Sequence, residues 1–215
     1  MTALSRRLVA VLTLAFGIAV APAADAGPPT EALQVYVDRL FAVLEDESLK
    51  APGRAAERHR TVRALAEDAL DFNESARRSL AAHWDARTPA ERARFTRLFT
   101  DLIDHAYLSR IALDGERIAL DSESITDREA MVRGRALSKS GGTTPVQFFL
   151  HQDATGRWRL YDVSFEGMSL VGNYRAQFNK IIRASSFDEL VARLEAKTRT
   201  EAQASTPAES PSKNP

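Results

Sequence analysis

Apolar residues recur at helical spacing in the first part of the chain. Leu33, Tyr36, Val37, Leu40 and Leu44 form one stripe and predict a helix from about Thr30 to Glu45, entered through Pro28 and Pro29. A second helical region, from about Arg54 to Glu67, follows Pro52-Gly53. A third, from about Glu74 to Trp84, follows the break at Asp71-Phe72-Asn73. Thr88-Pro89-Ala90-Glu91 is the clearest start signal: Thr caps, Pro suits the first turn, and Glu returns a bond to the cap. From there Phe95, Leu98, Phe99, Leu102, Ile103, Ala106 and Tyr107 make a wide apolar stripe able to face a sheet or a cavity.

From Gly115 the period changes to two. The predicted strands are Arg117 to Leu120, Ala130 to Ser138, Pro145 to Gln152 and Trp158 to Glu166, with turns at Gly141-Gly142 and Asp153-Ala154-Thr155-Gly156. Short connections make them antiparallel neighbours. Strict alternation puts Val146, Phe148 and Leu150 on one face, and Tyr161, Val163 and Phe165 on one face of the next strand. Helical spacing then returns with Leu170, Val171, Tyr174, Phe178, Ile181 and Ile182. Ser186-Phe187-Asp188-Glu189 opens a last helix bearing Val191 and Leu194. Runs of helix and strand segregate along the chain, so the expected class is α+β: a four-stranded twisted antiparallel sheet with one face covered by several helices.

Composition narrows the function. With 215 residues the prior is one domain, and 29 basic against 29 acidic residues removes the bulk attraction on which nucleic-acid binders depend, so no nucleic acid is expected. Zero cysteine excludes disulfides, thiolate metal sites and a lipidated N-terminal cysteine. Arg6 and Arg7 precede an apolar run from Leu8 to Val20, and Pro22 stands before the small-x-small pattern Ala24-Asp25-Ala26. Residues 1–26 therefore read as a cleavable signal peptide, since the run falls short of the ~20 residues that span a bilayer. Its removal takes away Arg6, Arg7 and Asp25, leaving 27 basic and 28 acidic groups. Residues 27–197 form the expected single domain. Residues 198–215 hold three prolines and nothing more apolar than alanine, and are expected to be a disordered tail.

Known catalytic spacings are missing. There is no phosphate loop, no GxGxxG and no HExxH. Gly167-Met168-Ser169-Leu170-Val171 misses the nucleophile elbow at its last position, and Ser169 reads more simply as a helix cap. His59, His83, His105 and His151 lack ligand-spaced partners, so no metal site and no cofactor are expected. Asp162 is a general base in a cavity or, more simply, a residue facing water or a turn. The arginines of 54–63 and Arg133 with Arg135 read as solvated faces.

Several segments are recognisable together. Leu70-Asp71-Phe72, Leu80-Ala81-Ala82-His83-Trp84, Thr88-Pro89-Ala90-Glu91-Arg92 with Phe95, Phe99 and Tyr107, then Trp158-Arg159-Leu160-Tyr161-Asp162-Val163 and Gly167 to Phe178 resemble, in order, the MlaC family of periplasmic phospholipid carriers, also known as toluene-tolerance proteins. Ala81 stands where the family often has glycine, and Met168 where it usually has valine or isoleucine. A hopanoid-associated branch shares the motifs. The resemblance implies an apolar cavity between sheet and helices that takes acyl chains and leaves the headgroup in water. It also implies periplasmic location and handover between an outer-membrane lipoprotein complex and the MCE-domain subunit of an inner-membrane ABC transporter, helping to maintain outer-membrane lipid asymmetry. Phospholipid is then cargo rather than cofactor, and a monomer is expected.

The candidate lipid-binding residues are Leu98, Leu102, Tyr107, Val146, Phe148, Leu150, Tyr161, Val163, Phe165, Leu170 and Tyr174, a pool from which ordinary core packing claims a share. Burying about 30 methylenes at about 0.8 kcal/mol each is worth about 24 kcal/mol relative to water, above the practical ceiling for non-covalent affinity. A bilayer solvates the same chains equally well, so a carrier need only match the membrane, without strong headgroup ligands. Competing readings are a carrier of a hopanoid or other isoprenoid lipid, a small cavity enzyme using Asp162 or His105, and an envelope adaptor that binds proteins alone.

Overall fold

The structure is a computed structural model that describes residues 27–51, 53–108 and 117–205, with side chains to residue 200. The expected signal peptide, residues 1–26, and the end of the expected tail, residues 206–215, lie outside the described residues.

Helix α1 (Pro28–Glu45) begins on the two prolines, whose fixed φ suits the first turn. After a short α2 (Glu47–Lys50), α3 (Ala55–Ala69) packs against α1. Asp71 accepts the Glu74 amide at 3.0 Å and starts α4 (Phe72–Leu80), so the expected break at Asp71-Phe72-Asn73 is the cap itself. A 3₁₀ turn, Ala81–His83, follows. The capping box of α5 (Pro89–Ala106) forms as the sequence indicates. The Glu91 amide donates to Thr88 Oγ1 at 3.2 Å, and the Thr88 amide donates to the Glu91 carboxylate at 2.7 Å.

Five strands form one antiparallel meander in chain order: β1 (Arg117–Thr126), β2 (Glu129–Leu137), β3 (Thr143–Gln152), β4 (Trp158–Phe165) and β5 (Met168–Ser169). The expectation of four is corrected by the two-residue β5, which pairs Ser164 with Ser169 and Phe165 with Met168. So short a strand has no period to read.

β1 also outruns its expected end at Leu120, because a bulge at Asp121 reverses the alternation and hides the strand. Beside it, a Cβ on Gly134 would meet the Ala119 carbonyl oxygen at 2.4 Å, so glycine is what lets β1 and β2 approach there.

A second bulge has larger consequences. Phe149 pairs with Asp162 and Leu150 with Leu160, leaving Tyr161 as the extra residue of β4. Tyr161, Val163 and Phe165 therefore do not share a face. Val163 and Phe165 lie opposite Phe148 and Val146, whereas the Tyr161 ring sits 6.3 Å from Phe149 and 6.0 Å from His151, on the other side of the sheet.

The helices α6 (Leu170–Ala184) and α7 (Phe187–Ser205) complete the fold. Helix α7 continues to Ser205, past the expected tail start at 198. Arg199, Glu201, Ala202, Gln203 and Ala204 of that stretch are good helix formers, and they prolong an element already anchored by Phe187, Leu190, Val191 and Leu194.

The layering differs from the expected single covered face. Helix α1 lies on one face, touching β1, β2 and β4, while α4 and α6 reach the sheet through β4 and pack with α5 and α7 into a separate helical body. Leu70 bridges to Leu160, and the Asp71 amide donates to the Leu160 carbonyl at 2.8 Å, which fixes the start of α4 at the β4 edge. Two hydrophobic cores result, one inside the helical body and one between α1 and the sheet.

Candidate functional site

The buried part of the sheet's apolar face is built by alternation on three strands. Ala130 and Val132 from β2, Val146, Phe148 and Leu150 from β3, and Trp158 and Leu160 from β4 are buried under Leu33 and Val37 of α1. Registers place Ala130 opposite Leu150 and Val132 opposite Phe148, so these side chains form continuous cross-strand rows.

One end of this face is closed and the other is open. Around Val132, Leu150 and Leu160 exposure is 8 % or less. Toward the opposite end Ile118, Leu120, Ala136 and Val163 are only partly buried, and Phe165 is 51 % exposed beside Met168 at 72 %. The apolar surface thus runs from a sealed interior to a greasy rim, which water wets at a cost of roughly 25 cal/mol per Å².

Polar fastenings hold α1 over this face. Glu123, carried onto it by the β1 bulge, accepts from the Thr30 amide at 2.9 Å and from Thr30 Oγ1 at 2.5 Å. Asp68 on α3 takes Arg39 of α1 at 3.2 Å and Arg157, just before β4, at 3.1 Å. At the far end of α1, Glu45 pairs with Arg117 at 2.5 Å, and the Arg117 guanidinium lies 5.2 Å from the Phe41 ring centroid. All but the Glu123 contact are largely exposed ion pairs, each worth no more than about 1 kcal/mol.

The nominated residues divide between the two cores. Val146, Phe148 and Leu150 lie beneath α1 and Val163 is partly buried at the rim of that core; Phe165 is exposed at the same rim. Leu98, Leu102 and Tyr174 sit in the helical body with Leu170 packed against it. Tyr107, 43 % exposed, caps the end of α5. Tyr161 belongs to a polar cluster on the opposite face. The Arg78 guanidinium lies 3.7 Å over its ring and pairs with Glu74 at 2.7 Å and Glu129 at 2.5 Å. Burial pushes the Tyr161 hydroxyl up to about 12, with Glu129 adding to it and Arg78 opposing. Burial would raise Glu74 too, but hydrogen bonds from Arg77 and Arg78 outweigh it and hold the carboxyl at about 2.

Asp162 is buried rather than turned to water. Its two oxygens accept from Ser169 Oγ at 2.5 Å and from the Val171 amide at 2.9 Å, while Ser169 Oγ accepts the Gly172 amide at 2.7 Å. Both residues thus cap α6, and Asp162 holds the helix rather than a substrate. Arg63 is no solvated arginine either: it pairs at 2.7 Å with Asp104, which is 1 % exposed, and His59 meets the same carboxylate at 2.9 Å. Asp104 lies off the apolar stripe of α5, on the side turned to α3, so the helical period of that stripe does not announce its burial.

Among the described residues no group of acidic and histidine side chains could hold a metal ion, and no helix is long and apolar enough to cross a membrane. Two clefts among the described residues measure about 260 and 150 Å³, below the roughly 300–1,000 Å³ of a pocket for a drug-sized ligand. The expected enclosed cavity is not among them. Helix α1 rests directly on the sheet face and fills the space between.

The sequence profile of the MlaC protein family matches residues 34–196. The chain belongs to the MlaC family. The matched stretch spans both cores, from the middle of α1 into α7. A phospholipid-binding protein from Ralstonia solanacearum, solved in complex with a phospholipid, superposes with a TM-score of 0.70 at 18 % identity, over 82 % of this chain and 99 % of that one. At that identity the likeness establishes the shared fold. A cyanobacterial iota-carbonic anhydrase complexed with bicarbonate reaches a TM-score of 0.39 at 16 % identity, over 63 % of this chain and 87 % of that one, too remote to bear on this molecule.

Proposed function

We propose that this MlaC family member is a periplasmic phospholipid-binding carrier, not an enzyme, which shuttles lipid between an outer-membrane lipoprotein complex and the MCE-domain subunit of an inner-membrane ABC transporter. The observation that carries the reading is the half-exposed apolar rim formed by Ile118, Leu120, Val163 and Phe165, continuous with the buried face under α1. Acyl chains enter at this rim and slide between α1 and the sheet, with α1 lifting on its exposed ion pairs. The chains replace side-chain contacts with equivalent apolar contacts, so the exchange is nearly neutral in free energy and reversible against a bilayer. The phospholipid seen in the Ralstonia solanacearum protein of the same fold supports this cargo class. The occupied oxygens of Asp162 weigh against the enzymatic alternative.

Organic extraction of the purified protein followed by mass spectrometry tests the proposal. Diacyl phospholipid at a stoichiometry near one per chain is expected. A hopanoid or other isoprenoid in its place would redirect the cargo assignment, and lipid-free protein that accepts none from vesicles would overturn it.

A further inference from the structure

The cleft of about 260 Å³ lies away from the α1 face, where the 3₁₀ turn meets α6. Its floor is Leu80, Ala81 and Ala82 against Gly172 and Ala176. Its rim is polar: His83 Nε2 meets Asn179 Oδ1 at 3.0 Å, and Arg175 Nε donates to the Arg78 carbonyl at 3.0 Å. That bond fixes the stem of Arg175 and leaves its two terminal nitrogens without a carboxylate.

The wider face is charged one way. Helix α6 carries Arg175, Lys180 and Arg183 and no acidic residue, all three exposed and none with an ion-pair partner among the described residues. The nearest acid along the chain to the opposite wall, Asp85, is 4.0 Å from Arg92. In a protein of zero formal charge this is a local excess, and Gly172, Arg175, Ala176, Asn179 and Arg183 follow one helical stripe that runs past the cleft. Ala81 itself holds φ of 48°, a left-handed conformation costly for a residue with a Cβ. Two segments that neither core explains, Ala81-Ala82-His83 and Arg175-Ala176, thereby converge on one surface.

We infer that the α6 face is a protein-docking surface: an acidic segment of a partner pairs with Arg175, Lys180 and Arg183 and seats one apolar side chain in the cleft over Ala176. A membrane surface is the weaker occupant, because it has no side chain to place in a cleft and three cations give it little hold. The position also suits handover. Helix α6 leaves β5, whose Met168 pairs with Phe165, so Gly172, Arg175 and Ala176 in its first two turns follow closely on the open rim of the lipid face, with Lys180 and Arg183 farther along. In that last respect the inference rests on the carrier reading.

The test uses the full mature chain with two probes, the soluble domain of the MCE subunit encoded by the same organism and vesicles of phosphatidylglycerol. The charge reversal Arg175→Glu with Lys180→Glu and Arg183→Glu is expected to weaken binding to the soluble domain at least tenfold. Ala176→Trp, which fills the cleft from an exposed position, is expected to weaken it several-fold without changing vesicle binding. Binding of the unaltered protein should fall steeply with salt. Unchanged protein binding in both variants overturns the inference, as does loss confined to vesicles or no binding by the unaltered protein. Lipid content by extraction judges the carrier reading separately, since none of these four residues lies on the lipid face.

Discussion

The two cores of this molecule are built from different material and permit different things. In the helical body Phe95, Phe99, Tyr174, Phe178 and Phe187 stack and meet edge to face at centroid distances of 5.4 to 6.2 Å, all 8 % exposed or less. Rings in such contact interlock, and each pair adds about 0.5–1.5 kcal/mol beyond its burial. The core between α1 and the sheet is mostly aliphatic, has one closed end and one wet end, and is held shut at its margins chiefly by exposed ion pairs. A rigid half and an openable half in one chain are what a vessel for a flexible guest requires. Aliphatic surfaces accept a hydrocarbon tail in place of a side chain, whereas interlocked rings do not.

That contrast can be broken from either side. The largest effect is expected for Phe99→Ala in the ring cluster, a loss of about 3–5 kcal/mol in urea unfolding, with lipid per folded molecule unchanged; a cost under about 1 kcal/mol would show the helical body to be loosely packed. Asp104→Asn removes the buried carboxylate that serves Arg63 and His59, and is expected to cost about 2 kcal/mol by thermal unfolding, less than a fully enclosed pair because Arg63 is about a third exposed.

On the other side, Val163→Trp at the half-buried rim is expected to cost under about 1 kcal/mol while clearly reducing co-purified phospholipid. Lipid content equal to that of the unaltered protein would remove Val163 from the path. The smallest effect concerns pH. Glu74, held at about 2, contributes stability that is fully present above its unfolded value near 4.5 and is lost as pH falls toward 2. Glu74→Gln should therefore flatten stability between about pH 4.5 and 2 and leave it unaltered in shape near neutrality, as followed by denaturation at a series of pH values.

Most helices were legible because their signals are local. The Thr88 capping box, the Pro28-Pro29 entry and the Ser169 cap all act within four residues. The long strands were legible by alternation, but their faces were not. The residue that slips out of register at Tyr161 is decided by hydrogen bonds to β3, and a one-residue slip exchanges the two sides of everything beyond it. The candidate site suffered accordingly: Val146, Phe148, Leu150, Val163 and Phe165 do share one face, while Leu98, Leu102 and Tyr174 carry the same amphipathic signature yet pack in another core. An apolar stripe reports that a residue will be buried and is silent about its neighbours.

The order and type of elements, the helix ends, the absence of thiol chemistry and the family motifs were written in the chain itself, since each depends on backbone geometry or side-chain type over a few residues. The division into an aromatic body and an aliphatic face, the escape of Tyr161 to the far side, the burial of Asp104 beneath Arg63 and His59, and the cleft against α6 arose in folding. Each joins residues tens of positions apart, and their pairing depends on how whole elements dock, which short-range periodicity does not encode.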